Sequence, residues 1–411
     1  MDMLRCRSCE APLDRVFVDL GASPLANRYL EPADLAGMEP TYPLRVNVCT
    51  RCWLVQLPAL VAPEEIFSDY AYFSSYSDSW LAHCEKYAAD VAARFGLGAS
   101  SKVVEIASND GYLLQYFAAR GIPVMGVEPA RNVAMAAEKR GIPTTSVFFG
   151  AASAEQLAGQ GQADLLVANN VLAHVPDLND FIRGLQRLLK PGGVITVEFP
   201  HLLRLMEFNQ FDTIYHEHFS YFSLCAVEAA FERHDLVLFD VEELPAHGGS
   251  LRIYATHRAG EASKQSGSRL EDVRRAEIAA GLNRIDGYER FARQVEDTKR
   301  GLLSFLIEAK RKGSRIAGYG APAKGNTLLN YCGIRTDFLD YTVDRSEHKQ
   351  GRFLPGSRIP IFAPAKIAET KPDYVLILPW NLRDEIADQM RHIRTWGGRF
   401  VVPIPRVEIL E

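Results

Sequence analysis

From Lys102 onward the chain alternates short apolar runs with helical patterns. KVVEIA, IPVMGVE, ADLLVAN and GGVITVEF read as strands, and the stretches around YLLQYFAARG, NVAMAAEKRG and LNDFIRGLQRLLKPGG read as helices between them. Parallel neighbours need a long crossover, so this alternation admits few folds: a mostly parallel sheet covered by helices on both faces. Ligands of such sheets bind beyond the carboxyl ends of the strands, near the point where the winding switches direction. A second pattern of the same kind, RIAGYGA, FLDYTVD, DYVLILPW and GGRFVVPIP, begins near residue 313. The charged stretch between the two patterns reads as a solvated helical linker.

The N-terminal residues carry a different signal. Of seven cysteines, four form two CxxC pairs, Cys6 with Cys9 and Cys49 with Cys52. Each pair can present two thiolates to one tetrahedral Zn²⁺, and two pairs close a structural site that leaves no coordination position for catalysis. Redox-active or incidental cysteines are the competing reading. The gap between the pairs is longer than in compact zinc fingers and implies a sizeable loop. Cys84, Cys225 and Cys332 read as small buried hydrophobes. A formal net charge of −5 argues against a general nucleic-acid binder. With no apolar run near the length of a membrane span and no signal-peptide pattern, a cytoplasmic enzyme is expected.

The first strand of the central pattern ends in VVEIASNDGYLL. This resembles the first motif of the S-adenosylmethionine (SAM) dependent methyltransferases, an acidic residue followed by GxGxG. Glu105 holds the acidic position, and Ala107, Asn109 and Gly111 hold the three glycine positions. Small residues allow close backbone approach, and Asn tolerates a left-handed turn better than most. The second strand ends in GVEP, which places Glu128 where an acidic side chain can grip both ribose hydroxyls. The fourth strand ends at Asn169 and Asn170, and is followed by an H-V-P-D loop, a helix, a K-P-G-G turn and a further strand. That succession is typical of class I methyltransferases, so SAM is the expected cofactor. A NAD-binding Rossmann unit competes with this reading, but its GxGxxG is absent from the domain.

Downstream lies QFDTIYHEHFSYFSL, with Tyr215, His216, Glu217 and His218 side by side. Methyl transfer to carbon requires an enolate, hence a base for a proton beside a carbonyl and donors for the oxyanion. A histidine with an intrinsic pKa near ~6.5 suits the first task, so His218 is the candidate base. Tyr215 can donate to an enolate oxygen, and Glu217 can orient an imidazole or hold a substrate hydroxyl. Metal ligation by His216 and His218 with Glu217, and satisfied polar residues in an aromatic loop, are the alternatives.

Taken in order, CxxC…CxxC, DYAYFSSYSDSW, EIASNDGYLL, YHEHFSYFS, HGGSLRIY and GYGAPAKGNTLLN resemble the sugar C-methyltransferases. These act on nucleotide-linked 4-keto-deoxysugars to make branched sugars of antibiotics and surface polysaccharides; the tetronitrose-pathway C-3′ methyltransferase is one member. The resemblance covers essentially the whole chain. It implies that His218 takes the C-3′ proton and that Tyr215 and Glu217 surround the keto sugar. It also implies that Tyr76 reaches the site from outside the methyltransferase core, and that His174 is a further polar group near the sugar. A core aromatic remains the alternative for Tyr76, and a helix-capping loop residue the alternative for His174.

In the C-terminal pattern, Gly318, Gly320 and Gly325 are read as a glycine-rich turn between a strand and a helix, with Lys324 in the same turn. Backbone N–H groups at such a helix start suit an anion, and the pyrophosphate of a nucleotide-sugar, TDP above all, is the expected one. Asp344 reads as a strand terminator, with a ribose contact as the alternative. His247, in HGGSLRIY, is a candidate substrate contact, with a tight bulge as the equal alternative. The expected architecture is a zinc-binding domain over 1–70 and a class I (Rossmann-like) SAM-binding methyltransferase domain over 71–260. A helical linker over 261–312 and a Rossmann-like α/β domain over 313–411 complete it. The expected protein is a monomeric SAM-dependent sugar C-methyltransferase with a structural Zn²⁺. O- or N-methylation of a nucleotide sugar, RNA methylation, and a noncatalytic nucleotide-sugar module are the rivals.

Overall fold

The computed structural model describes residues 4–62, 75, 78–260 and 267–410. The chain divides into two compact units, each assembled from separate stretches of sequence. The first comprises Met1–Asp14, Cys49–His201 and Phe219–Asn283; the second comprises Arg15–Val48, Leu202–His218 and Arg284–Glu411.

The first unit is built on a seven-stranded sheet. Its strands are β1 (Val103–Ile106), β2 (Val124–Val127), β3 (Thr144–Thr145), β4 (Ala163–Asn169), β5 (Leu189–Pro200), β6 (Leu236–Leu244) and β7 (Ser250–His257). They lie in the order β3-β2-β1-β4-β5-β7-β6. Strand β7 runs antiparallel to both its neighbours, while β1 to β5 pair in parallel. The winding therefore reverses between β1 and β4, which makes the carboxyl ends of those two strands the switch point. Side chains alternate across the sheet. Val104, Ile106, Leu166, Ala168, Ile195 and Val197 join a core on one face, while Val103, Leu165, Val167 and Val194 join a second core on the other. Burial on both faces is why these strands read as continuous apolar runs. Between β4 and β5 the pairing steps from Ala163↔Leu189 to Leu165↔Val194, and the K-P-G-G residues form the irregularity.

The second unit carries a six-stranded sheet. Its strands are β8 (Ile316–Tyr319), β9 (Thr342–Val343), β10 (Ile361–Phe362), β11 (Tyr374–Ile377), β12 (Arg399–Val402) and β13 (Glu408–Leu410), in the order β10-β9-β8-β11-β12-β13. All pair in parallel except β13. Ahead of this sheet runs the helix Ile285–Arg311, whose buried stripe is Tyr288, Phe291, Val295, Leu302 and Leu306. Steps of three, four or seven residues put that stripe on one face. Phe17, from the antiparallel pair Arg15–Ser23 and Tyr42–Val48, stacks on Phe291 at 4.6 Å and meets Tyr288 edge-on at 6.0 Å. The charged region 261–312 thus contains two helices, Ser268–Ala280 in the first unit and Ile285–Arg311 in the second. Among the described residues no helix is long and apolar enough to cross a membrane.

Candidate active site

Both CxxC pairs fold into the same turn. Glu10 N–H donates to the Cys6 carbonyl and Trp53 N–H to that of Cys49, both at 2.9 Å; Glu10 and Trp53 each take a left-handed φ. The four Sγ atoms lie within 4.8 Å of one another, with Cys6 and Cys52 3.5 Å apart and Cys9 and Cys49 3.4 Å apart. A tetrahedron of Zn–S bonds near ~2.3 Å spaces its sulfurs at roughly 3.8 Å, so the donor set and its size fit Zn²⁺. Gln56 Nε2 donates to Cys6 Sγ at 3.1 Å and Arg51 N–H to Cys49 Sγ at 3.4 Å, contacts that steady thiolate ligands. These cysteines are buried in the core of the first unit, and among the described residues no other group of three or more potential ligands converges. The loop between the pairs, 15–48, is the antiparallel strand pair of the second unit.

At the switch point, Ala107, Asn109 and Gly111 all have positive φ, +55°, +48° and +77°. At Gly111 a Cβ would also lie 2.9 Å from Ile142 Cγ1, so space and conformation both require glycine there. Glu128 sits at the end of β2 with Oε2 accepting from Asn109 N–H at 3.0 Å and Oε1 from Ala130 N–H at 2.9 Å. Burial raises its pKa against those two bonds. Each oxygen keeps a further lone pair for a hydroxyl. Glu105 is wholly buried, and burial drives its pKa well above the ordinary range against a bond from the Tyr112 hydroxyl. Asn169 Oδ1, at the end of β4, is buried without a partner. The spare lone pairs of Glu128 and the orphaned Asn169 oxygen, set around a left-handed turn, fit a ligand rich in donors, as the ribose hydroxyls and α-ammonium of SAM are.

Asn170, at φ +53°, brings Nδ2 to 3.5 Å from His247 Nε2. His247 lies in the tight turn Ala246–Gly248 between β6 and β7, also with positive φ, and the Trp80 ring stands 5.7 Å from it. Trp80 in turn stacks on His83 at 4.9 Å. Trp80 closes the DYAYFSSYSDSW motif without a role legible there, and nothing local distinguishes His83 from other residues of the helix Asp78–Phe95. His83 and Arg252 both bond Glu198, a β5 carboxylate 1% exposed; burial opposes ionisation, but the two partners outweigh it and hold its pKa below the usual value. His174 occupies the short turn Leu172–His174, and the cap of the following helix is Asp177, which accepts from Asp180 N–H. Tyr76 lies outside the described residues.

In the second unit, the turn Phe211–Thr213 opens the Y-H-E-H segment. Thr213 closes it by donating N–H to the Gln210 carbonyl at 3.1 Å and Oγ1–H to the same oxygen at 2.7 Å. The Thr213 carbonyl lies 2.8 Å from His218 Nδ1. A carbonyl only accepts, so Nδ1 carries the hydrogen and Nε2 is the basic nitrogen of the neutral ring. The Tyr215 and His218 rings stand 4.1 Å apart and both are half-buried, whereas His216 and Glu217 are buried. Asn27 Nδ2 donates to both Glu217 oxygens, at 2.7 and 3.0 Å, and burial still pushes this carboxyl up to about 7. His216 turns to Pro43 O at 3.3 Å and to the Tyr42 ring, and burial lowers its pKa.

The C-terminal glycines are distributed differently from the single turn expected. Gly318 lies within β8, and Lys324 and Gly325 lie in the first turn of the helix Ala323–Cys332. The reason is packing. A Cβ on Gly318 would come 2.7 Å from Thr342 Oγ1, and one on Gly325 3.0 Å from Leu378 Cβ. Only Gly320, at φ +90°, serves the turn itself. Pro322 caps the helix without a side-chain bond, which leaves the N–H groups of its first turn for an anion. Lys324 Nζ donates to Asn381 Oδ1 and stands 4.5 Å over the Trp380 ring; burial lowers its pKa and Asp212 opposes that. Asp344 accepts from Ala321 N–H at 2.7 Å and Ser346 N–H at 2.8 Å, tying the turn to the end of β9.

Three family descriptions match the chain: a putative zinc binding domain at 6–67, a methyltransferase domain at 80–241 and a C-methyltransferase C-terminal domain at 245–405. The C-methyltransferase NovU of Streptomyces niveus is 38% identical over 406 residues, covering 98% of this chain and 96% of that protein. A ubiquinone biosynthesis O-methyltransferase of Pseudomonas aeruginosa is 34% identical over 105 residues, 25% of this chain and 45% of that protein. The solved PH0226 protein of Pyrococcus horikoshii is 15% identical, with a TM-score of 0.38 over 47% of this chain and 97% of that one.

Proposed function

As this chain belongs to the family of SAM-dependent C-methyltransferases that includes NovU, we propose that it methylates C-3′ of a nucleotide-linked 4-keto-deoxysugar through an enolate. The observation that carries the reading is the Nδ1 hydrogen bond of His218 to Thr213 O, beside the Tyr215 ring. It sets the imidazole as a base through Nε2. The 4-keto group acidifies the C-3′ hydrogen, His218 Nε2 takes that proton, and the electron pair moves into the enolate, whose oxygen the Tyr215 hydroxyl stabilises. Bound SAM supplies an electrophilic methyl group to the nucleophilic carbon. Glu217, with a pKa of about 7, holds its proton over part of the neutral range and can donate it to a sugar oxygen. Glu105, Glu128, Asn169 and the turn through Ala107, Asn109 and Gly111 are the SAM-binding set in this reading. Tyr76 and His174 are assigned to the sugar from the family resemblance, and Asn170 and His247 from their places at the end of β4 and in the turn before β7. The helix start at Ala323, with Lys324, is assigned to the diphosphate of a TDP-sugar. The working form proposed is a cytoplasmic monomer serving branched-sugar biosynthesis.

The test is proton NMR and mass spectrometry with a TDP-4-keto-6-deoxyhexose in D₂O. Deuterium entering C-3 without SAM and a new C-methyl with SAM are the expected outcome. His218→Asn should lose both, by roughly 10²–10⁴-fold, while keeping nucleotide affinity. Methylation at full rate in that variant, or transfer to oxygen or nitrogen, would overturn the proposal.

A further inference from the structure

The loop that carries His218 is held from behind. Asp212, in the turn Phe211–Thr213, is completely buried. Its Oδ2 accepts from the Trp380 indole Nε1 at 2.8 Å, and its Oδ1 has no protein partner. Trp380 stands just beyond β11, in the turn Trp380–Leu382. Two residues after Asp212, the Ile214 carbonyl accepts from Thr327 Oγ1 at 2.9 Å, and Thr327 is 2% exposed on the helix Ala323–Cys332. Between these anchors lies Thr213, whose carbonyl receives the His218 Nδ1 hydrogen. Both neighbours of the residue that sets the imidazole are therefore fixed by side chains from the C-terminal α/β part of the unit. A buried carboxyl is costly to leave unbonded, so the Trp380 bond fixes the turn in one place more firmly than a surface bond would.

We infer that Trp380 and Thr327 are positioning residues for His218, acting through Asp212, Ile214 and the Thr213 carbonyl. This rests on the reading of His218 as the base, and adds a second task for the C-terminal domain beyond holding a nucleotide. Neither residue touches the sugar in this account. Their loss lets the Thr213 carbonyl shift, so the imidazole samples both tautomers and more than one orientation.

The experiment compares Trp380→Phe and Thr327→Val with the conservative Thr327→Ser and Asp212→Asn, which keep a hydroxyl donor and a carbonyl acceptor. Nitrogen-15 NMR of His218, assigned by its loss in His218→Asn, reports the tautomer in protein without any ligand. Steady-state methylation with the TDP-4-keto-6-deoxyhexose gives kcat and KM. Trp380→Phe and Thr327→Val should show mixed tautomers and a kcat lower by about 10- to 100-fold with KM little changed. The conservative pair should stay near wild type in both readouts. A wild-type tautomer and kcat in Trp380→Phe and Thr327→Val would overturn the inference. So would an unchanged tautomer accompanied by a matching rise in KM. If wild-type enzyme itself catalyses no C-3 exchange, the base assignment falls, and the NMR comparison still decides the positioning.

Discussion

Asp212 and Glu217 share one loop and one electrostatic problem. Burial pushes each carboxyl up to about 7, against Lys324 and Trp380 for Asp212 and against Asn27 for Glu217. A raised acid is protonated in the folded chain while already ionised in the unfolded one. The unfolded state then binds fewer protons, so stability falls as pH rises through the window between the two pKa values. For Glu217 that window runs from about 4.5 to about 7. Glu217→Gln removes the ionisation, and its unfolding free energy should gain on wild type across the window by on the order of 3 kcal/mol. Urea unfolding at a series of pH values checks this; parallel curves for the two proteins would refute it. The chemistry-bearing residue types of this loop were legible as a run of letters, but their partners were not. Asn27 stands 190 residues from Glu217 and Trp380 168 from Asp212, and no local pattern encodes a contact at that range.

Elements were the most legible scale. A strand buried on both faces announces itself as an apolar run, and β1, β2, β4 and β5 appear where such runs stand. The left-handed turn at 107, 109 and 111 was legible too, although only one of its three residues is glycine. What sequence could not supply was the polar interior between elements. Glu198 of β5, Arg252 of β7 and His83 of the helix Asp78–Phe95 carry no local signal of a shared role, yet they meet through hydrogen bonds. Arg252→Met should cost about 3–5 kcal/mol because it leaves a buried carboxylate half-paired. Adding Glu198→Leu should recover much of that loss. Chemical denaturation of the single and double variants measures both numbers, and a single variant near wild type would show that His83 alone satisfies the carboxylate.

At the scale of the molecule, two units are threaded through one another in sequence. The chain passes between them at Asp14, Val48, His201, His218 and Asn283. No single cut separates them, and a fragment ending at residue 283 would strand 15–48 and 202–218 without the helix and sheet they pack on. Such a fragment should be insoluble or lack a cooperative unfolding transition, whereas the full chain shows one; a soluble, cooperatively folded fragment would contradict the division. Domain boundaries read along the sequence run consecutively, and a unit made of three separate segments leaves no compositional mark at its seams.

The stacking of Phe17 on Phe291 has a consequence in time. Their positions differ by 274 residues, and a ribosome adds roughly 5–20 residues per second. The apolar side of the early strand pair therefore waits on the order of tens of seconds before its partner helix exists. During synthesis Phe17 lacks its stacking partner for most of the time the chain takes to make, and the strand pair that carries it can complete its packing only after Phe291 has been added.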